Sequence, residues 1–363
     1  MRILLATDAW EPQVNGVVRT LTRTIAECRA MGHQVEVVSP DQFKTFPLPT
    51  YPEIKLAMGA YEPVQERFKA FEPEAIHIAT EGPIGLAARR ICVDWKLPFT
   101  TSYHTKFPEY VSARLPLPLS AGYAYMRWFH GPSGRVMVAT PTMRDELAKH
   151  GFRNISPWSR GVDTELFHPS KAVPDVYEGL ARPIWLNVGR VAVEKNIEAF
   201  LALDLPGTKV VVGAGPQQEE LAERYPAVQF RGARFGEDLA SHYAGADVFV
   251  FPSLTDTFGL VILEAMSSGT PVAAYPAAGP IDIIPNSGAG RLAETLTDGL
   301  REACLESLKL DRGAVRRFAE RFSWRASSEE FVRNLQPYPE PEKTRFWRRL
   351  RRLARLRRRP AQV

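Results

Sequence analysis

Val248-Phe-Val-Phe251-Pro-Ser253-Leu-Thr-Asp256-Thr-Phe258-Gly259-Leu260-Val-Ile-Leu-Glu264-Ala-Met-Ser-Ser-Gly269-Thr-Pro271 passes from a short apolar run, through a sharp turn at Thr257-Phe258-Gly259, into an apolar helical stretch. An apolar run of β-formers, a glycine turn and a helix make a strand–turn–helix unit. The helix start presents unbonded N–H groups and the positive end of the helix dipole, which suits a phosphate. Asp256 lies in the turn, and Glu264 follows eight positions later inside the helix. Two solvated carboxylates are the plain alternative. Against it, Glu264 stands between Leu263 and Ala265, where a carboxylate needs a partner.

The same unit recurs on both sides of this stretch. Upstream, Ile3-Leu-Leu-Ala6 reads as a buried strand, and Gly16 to Met31 as a helix with Val17, Val18, Leu21, Ile25 and Cys28 on one side. Gly32 stops it. Val35–Val38, Ala75–Ile78, Pro98–Thr101 and Arg135–Val138 read as further strands, each followed by a loop and a helical pattern. A second series follows the polar, proline-bearing stretch from His168 to Pro183. Its strands are Ile184–Val188, Val210–Val212, Val228–Phe230, Val248–Phe251 and Pro271–Ala274. Strands alternating with helices predict parallel βαβ units. The fold class is therefore α/β, with two Rossmann-like domains facing a central cleft, where ligands of such sheets bind.

Composition narrows the function. A chain of 363 residues with 45% hydrophobic and 24% charged residues is globular and long enough for two domains. No apolar run approaches the ~20 residues that span a bilayer. Four apolar residues after Met1-Arg2 are too few for a signal peptide, so a cytoplasmic location is expected. Cys28, Cys92 and Cys304 are odd in number and far apart, which fits buried thiols rather than disulfides or zinc. Ten Lys or Arg and no acidic residue lie between Lys343 and Arg359; the rest holds 36 basic against 41 acidic residues. The body is thus acidic, the opposite of a nucleic-acid enzyme.

Other motifs gather around the first. In Asn187-Val-Gly189-Arg190-Val-Ala-Val-Glu-Lys195, two cations stand just beyond a strand end, where they can neutralise a diphosphate, Arg as a fork and Lys as a point charge. A surface salt bridge is the alternative for this pair. Asp8-Ala-Trp-Glu-Pro-Gln-Val-Asn15-Gly16-Val-Val18 is a strand–loop–helix turn whose Gly16 allows close backbone approach to an anion, although Asn-Gly is also an ordinary turn. Thr101-Ser-Tyr-His104-Thr105 follows a strand end; a lone histidine is more often structural. Gly213-Ala-Gly215-Pro216 lacks the third glycine of a dinucleotide fingerprint, because position 218 is Gln218. No Asp-x-Asp occurs, so the expectation is chemistry without a metal clamp and without a cofactor.

With these stretches in place, the chain resembles glycosyltransferase family 4, from Thr7-Asp8 to about Leu335. That family has the two-domain GT-B fold and transfers sugar with retention of configuration. Its pattern is a carboxylate, seven residues and a glutamate, then Ala-Met/Ala-x-x-Gly-x-Pro, and Asp256 to Pro271 matches it. The family's usual Glu at the first position is Asp256 here, one methylene shorter. The resemblance implies that Asp256 orients the donor hexose, Glu264 binds the ribose, and Arg190 and Lys195 grip the diphosphate. Phe258, Gly259 and Leu260 lie beside the diphosphate and sugar, Gly16 is the glycine loop that closes on the donor, and His104 contacts the donor sugar. Gly213, Gly215 and Arg231 fall where the base is held, with uridine and guanosine both open. It also implies an acceptor-binding domain at 1–170, a nucleotide-sugar domain at 171–319 and a helix at 320–336 packing back on the first. The Ser-Tyr-His-Thr and Asn-Gly-Val-Val stretches look most like the branch that glycosylates lipids, so the partners expected are a UDP- or GDP-sugar donor and a lipid acceptor.

The tail at 337–363 is basic and amphipathic. Phe346, Trp347, Leu350, Leu353 and Ala354 form one apolar stripe, with Arg348, Arg349 and Arg352 among the arginines of the other face. That pattern predicts a peripheral anchor on anionic lipid at the inner face of the cytoplasmic membrane; a solvated tail is the alternative. Phe107 to Phe129, rich in aromatics, is a second candidate membrane or acceptor surface, or an ordinary packed helix. Other readings of the whole chain are a transferase with a soluble or polysaccharide acceptor, a nucleotide-sugar epimerase of the same shape, a binding-only protein, and a dinucleotide oxidoreductase, the last disfavoured by the incomplete fingerprint.

Overall fold

The computed structural model describes residues 1–13, 15–48, 51–112, 118–171, 175–285, 287–339, 343 and 345–350. Its strands are β1 (Arg2–Ala6), β2 (Gln34–Val38), β3 (Thr45–Leu48), β4 (Tyr51–Ala57), β5 (Ala75–Ile78), β6 (Thr100–Ser102), β7 (Arg135–Val138), β8 (Ile155–Pro157), β9 (Ile184–Val188), β10 (Thr208–Val212), β11 (Gln229–Phe230), β12 (Val248–Phe251), β13 (Val272–Ala274) and β14 (Gly290–Leu292). They form two six-stranded parallel sheets, ordered β2-β1-β5-β6-β7-β8 and β11-β10-β9-β12-β13-β14, plus the hairpin β3-β4. This is the two-Rossmann architecture the alternation predicts.

The near-continuous apolar strands have a simple cause. Ile3, Leu4 and Leu5 are all essentially inaccessible, because helices cover both faces of a parallel sheet. Leu4 and Ala6 face one core with Ile76 and Phe68, while Ile3 and Leu5 face another with Leu21, Ile25 and Phe331. In the second sheet, Leu186, Phe249 and Ile262 share one core, and Trp185, Val248 and Val250 the other.

Four strands escape a reading by pattern. The hairpin β3-β4 carries Pro47 and Pro52, which demote a run as strand. β8 and β14 are three-residue edge strands, too short for alternation. β6 and β13 also start later than expected, at Thr100 and Val272, each leaving a proline outside the ladder.

The two halves are joined by crossing segments laid side by side. Val162 N–H donates to the Phe322 carbonyl at 3.0 Å. Beside it, a Cβ on Gly161 would lie 2.4 Å from the Trp324 nitrogen, so only glycine fits. The chain then forms the helix Trp324–Asn334, which packs on the helix Gly16–Ala30 and sets Phe331 against Trp158 and His77.

The tail corrects one expectation. Residues 345–350 are helical, as the periodicity predicts, but Phe346, Trp347 and Leu350 of the apolar stripe are laid on the protein itself rather than offered to a bilayer. Trp347 is only 2% exposed and joins the core of the first sheet, with Phe346 and Leu350 packed against it. Trp95 receives both aromatic rings, at 5.9 Å and 6.3 Å between centroids. Lys343 pins the start of this segment to Glu74 at 2.7 Å. Periodicity tells that a face is apolar, not what covers it. Arg352 and Leu353 lie outside the described residues. Among the described residues no helix is long and apolar enough to cross a membrane.

Removing the Trp347 indole opens a cavity in this core, at about 3–5 kcal/mol for a buried tryptophan. Trp347→Ala is therefore expected to lower the urea midpoint of the protein in the absence of any lipid. An unchanged midpoint would mean that the tail is not docked.

Candidate active site

The strand order of the second sheet reverses between β9 and β12, its topological switch point, and the loops leaving those strands carry the charged motifs. Three side chains tie the loops together. Ser253 and Thr255 hydroxyls donate to the Glu194 carbonyl at 3.4 and 3.1 Å, and the Asn196 amide donates to the Pro252 carbonyl at 3.2 Å. This pairing brings Lys195 Nζ to the two Asp256 carboxylate oxygens, at 2.7 and 2.9 Å. Both side chains keep about a quarter of their surface exposed to the cleft. Arg190 lies half-buried in the same loop.

Gly259 opens the helix Leu260–Ser267 in the left-handed region (φ 84°), a conformation that costs other residues strain. Among the described residues no side chain caps that helix, so its first amides remain available to an anion. Phe258 is buried, and its backbone is pressed by Gly279, where a Cβ would lie 2.3 Å from the Phe258 carbonyl oxygen.

Glu264 is 3% exposed and does have partners. One carboxylate oxygen pairs with Arg19, reaching across from the helix Gly16–Ala30, and the other accepts from the Tyr243 hydroxyl at 3.0 Å. Glu264 raises the Arg19 pKa further, so the guanidinium stays charged. Burial first, and then Glu264, push the Tyr243 hydroxyl well above its ordinary value, so it remains a donor. Sequence reasoning missed both partners. Their only signal is proximity in the fold, since Arg19 lies 245 positions from Glu264.

The two halves meet at further points. Gly16 opens the first helix opposite the Leu260 side chain, 3.7 Å from where its Cβ would stand. Asn15 Oδ1 caps this helix, accepting from Val17 and Val18 N–H at 3.0 Å. Two of the amides that an anion could have used at Gly16 are therefore taken. Asp8, in the loop before it, caps a different helix, accepting from Ile84 and Gly85 N–H. The Thr257 hydroxyl donates to the His104 carbonyl at 2.7 Å, and Asp282 accepts from Thr142.

His104 stands at the end of a hydrogen-bonded chain. Its Nε2 lies 2.8 Å from Ser102 Oγ, and its Nδ1 lies 3.3 Å from Arg160 Nη2. Ser102 Oγ in turn lies 3.2 Å from His77 Nε2, whose Nδ1 meets Thr100 Oγ1 at 2.9 Å. Burial, followed by Arg160, His77 and His130, holds the His104 pKa well below the usual histidine range. His77 is pushed down to about 3 by burial, with Arg160 adding to it, so both rings are neutral. Arg160 is itself pushed down to about 9 by burial.

The remaining glycines have a backbone reason. A Cβ on Gly213 would lie 1.8 Å from the Gly189 carbonyl oxygen, and one on Gly215 2.3 Å from that of Val191. They let the loop after β10 press against the loop that carries Arg190. Arg231 lies on the neighbouring segment, bonded to Gln229 at 2.9 Å. Asp256, Lys195, Glu264, Phe258, Gly259, Leu260, Gly16 and His104 thus gather about one cleft, with Arg190, Gly213, Gly215 and Arg231 in the loops along its second half.

Comparison with known proteins shows the family. Residues 14–166 match the family described as Glycosyltransferase Family 4, and residues 182–309 match Glycosyl transferases group 1. The sulfoquinovosyl transferase SQD2 of Arabidopsis thaliana is 30% identical, over 89% of this chain and 70% of its own. A GDP-mannose-dependent alpha-mannosyltransferase of Mycobacterium tuberculosis is also 30% identical, over 78% and 81%. An alpha-monoglucosyldiacylglycerol synthase of Streptococcus pneumoniae is 26% identical, over 76% and 71%. Among solved structures, Anabaena Alr3699/HepE in complex with UDP and glucose superposes with a TM-score of 0.69 over 92% of this chain and 98% of its own, at 17% identity, which speaks for the GT-B fold. The chain is a glycosyltransferase and belongs to glycosyltransferase family 4.

Proposed function

We propose that this transferase moves a hexose or hexuronate from a UDP- or GDP-linked donor to a hydroxyl of a membrane lipid, with retention of configuration. Residues 171–319 bind the donor, and residues 1–170 with 320–336 bind the acceptor. The observation that carries the reading is the pair of carboxylates eight positions apart, each held by a cation at the cleft: Asp256 by Lys195, and Glu264 by Arg19.

A nucleoside diphosphate fits this arrangement because it exchanges partners rather than stripping them. The diphosphate brings negative charge to Lys195, Arg190 and the uncapped amides of the helix Leu260–Ser267, which frees Asp256 to accept from hexose hydroxyls. Ribose hydroxyls donate to Glu264 in place of Arg19, and the released guanidinium, one turn along the helix from Gly16, turns to the phosphates. In the transfer, the bond from the sugar C1 to the diphosphate oxygen breaks and the acceptor oxygen bonds C1 on the same face. The hydroxyl proton passes to the leaving diphosphate. The cations stabilise the charge that develops there. No protein nucleophile is assigned. HepE binding UDP and glucose supports a donor of this kind, and a relative named for making monoglucosyldiacylglycerol supports the lipid.

With Phe346 and Trp347 docked inward, membrane attachment falls to the arginine face at Arg348 and Arg349 and to the aromatic edge of the first domain. Phe107, Leu119 and Trp128 are 41%, 45% and 53% exposed there, with the Arg89 guanidinium 3.9 Å over the Trp128 ring. Exposed apolar side chains and a basic helix face each suit an anionic interface.

Purified protein mixed with UDP-glucose, UDP-glucuronate, UDP-galactose or GDP-mannose, with and without diacylglycerol or ceramide vesicles, is expected to add one sugar mass to lipid from one donor. Nucleotide release without glycolipid would point to a soluble acceptor, and an isomerised donor to an epimerase. In the same assay Asp256→Asn is expected to lower kcat by about 10²-fold, the usual scale for one positioned electrostatic group. Glu264→Gln is expected to weaken nucleoside diphosphate binding by roughly ten- to a hundredfold, for one charged hydrogen bond lost. Unaltered turnover would strip Asp256 of its donor-orienting role, and unaltered binding would strip Glu264 of its hold on the ribose.

A further inference from the structure

The hydrogen bonds of the His104 ring have a direction that chemistry alone settles. Arginine carries no lone pair, so Arg160 Nη2, 3.3 Å from His104 Nδ1, can only donate to it. Nδ1 must then be the bare nitrogen, and the ring proton of a neutral His104 lies on Nε2, where Ser102 Oγ accepts it at 2.8 Å. At the far end, the Thr100 hydroxyl donates to the Ile76 carbonyl at 3.3 Å, so its oxygen accepts from His77 Nδ1. The Ser102 hydroxyl proton then has His77 Nε2 at 3.2 Å and the Ala79 carbonyl at 3.4 Å as its acceptors. Ser102 thus receives the His104 proton while its own turns into the core, and His77, Thr100 and Ser102 are fully buried while Arg160 is 4% exposed.

Resting on the reading of His104 as the histidine that faces the donor sugar, we propose that Arg160 and Ser102 are positioning residues that lock His104 as the Nε2-protonated neutral tautomer, so that it meets the donor through the Nδ1 lone pair and gives it no proton. The bond from Arg160 to Nδ1 is long, so a sugar hydroxyl donating to the same lone pair can share or replace it. His104 then selects a donor that presents a hydroxyl at this point, rather than an ether or a carboxylate. The charged or titratable groups facing the ring are Arg160, His77 and His130, with Glu330 beyond Arg160. Burial and the Arg160 charge oppose a positive charge on His104, so the lock holds across neutral and mildly acidic pH.

The test is a ¹⁵N spectrum of histidine-labelled full-length protein, with His104→Asn used to assign the ring. The expected result is an unprotonated Nδ1 and a protonated Nε2, unchanged from pH 8 to pH 5. A protonated Nδ1, or a titration near the ordinary histidine midpoint, would overturn the proposal. Arg160→Lys, which can still donate to Nδ1, should keep the wild-type tautomer. Arg160→Met should mix the tautomers and lower kcat/KM for transfer by tenfold or more. Ser102→Ala, a smaller change in the same core, should also mix them, and a spectrum left unmixed in both would count against the lock. The spectrum needs no turnover, so the tautomer stands or falls separately from the sugar-transfer reading.

Discussion

A carboxylate buried under two domains is the constraint around which the cleft is built. Glu264 sits in an apolar helix and is almost inaccessible, and an ion in that setting needs a countercharge and hydrogen bonds to remain ionised. Tyr243 supplies one bond from within its own domain, but the countercharge comes from Arg19 of the other. The first helix must therefore approach the helix Leu260–Ser267, which brings Gly16 to Leu260 and the Thr257 turn to His104. Arg19 remains about one third exposed, so the pair is partly screened and can be exchanged for a ligand without unfolding either domain.

Sheet topology decides which residues line that cleft. In each sheet the strand order turns back beside the first strand, β1 against β5 and β9 against β12, and loops diverging from such a point leave a crevice. The crevice of the second sheet holds Lys195 and Asp256, fastened by the bonds of Ser253, Thr255 and Asn196. On the first sheet, Asp8 spends its carboxylate on capping a helix, and the chain from Thr100 to His104 supplies the polar wall instead.

Much of this was legible in the linear chain because parallel strands buried on both faces leave unbroken apolar runs such as Ile184–Val188, and because glycine is needed where a loop turns left-handed, as at Gly259. The Asp256 to Gly269 spacing and the Arg190–Lys195 pair were visible for the same local reason. Arg19, Tyr243, Arg160 and Ser102 were not, since each matters through a partner brought near only by folding, and nothing in their neighbours sets them apart. The tail shows the other limit. Its stripe reads as apolar in sequence, yet Trp95 and the first core, rather than lipid, cover Phe346, Trp347 and Leu350.

The most direct measurement is a crystal structure of the protein with a bound nucleoside diphosphate. The account predicts that the ribose hydroxyls donate to Glu264, that Arg19 has left that carboxylate for the phosphates, and that Lys195 has turned from Asp256 to the diphosphate. A complex in which Arg19 still pairs with Glu264, Lys195 still pairs with Asp256 and the ribose lies elsewhere would contradict the exchange on which the proposed function rests.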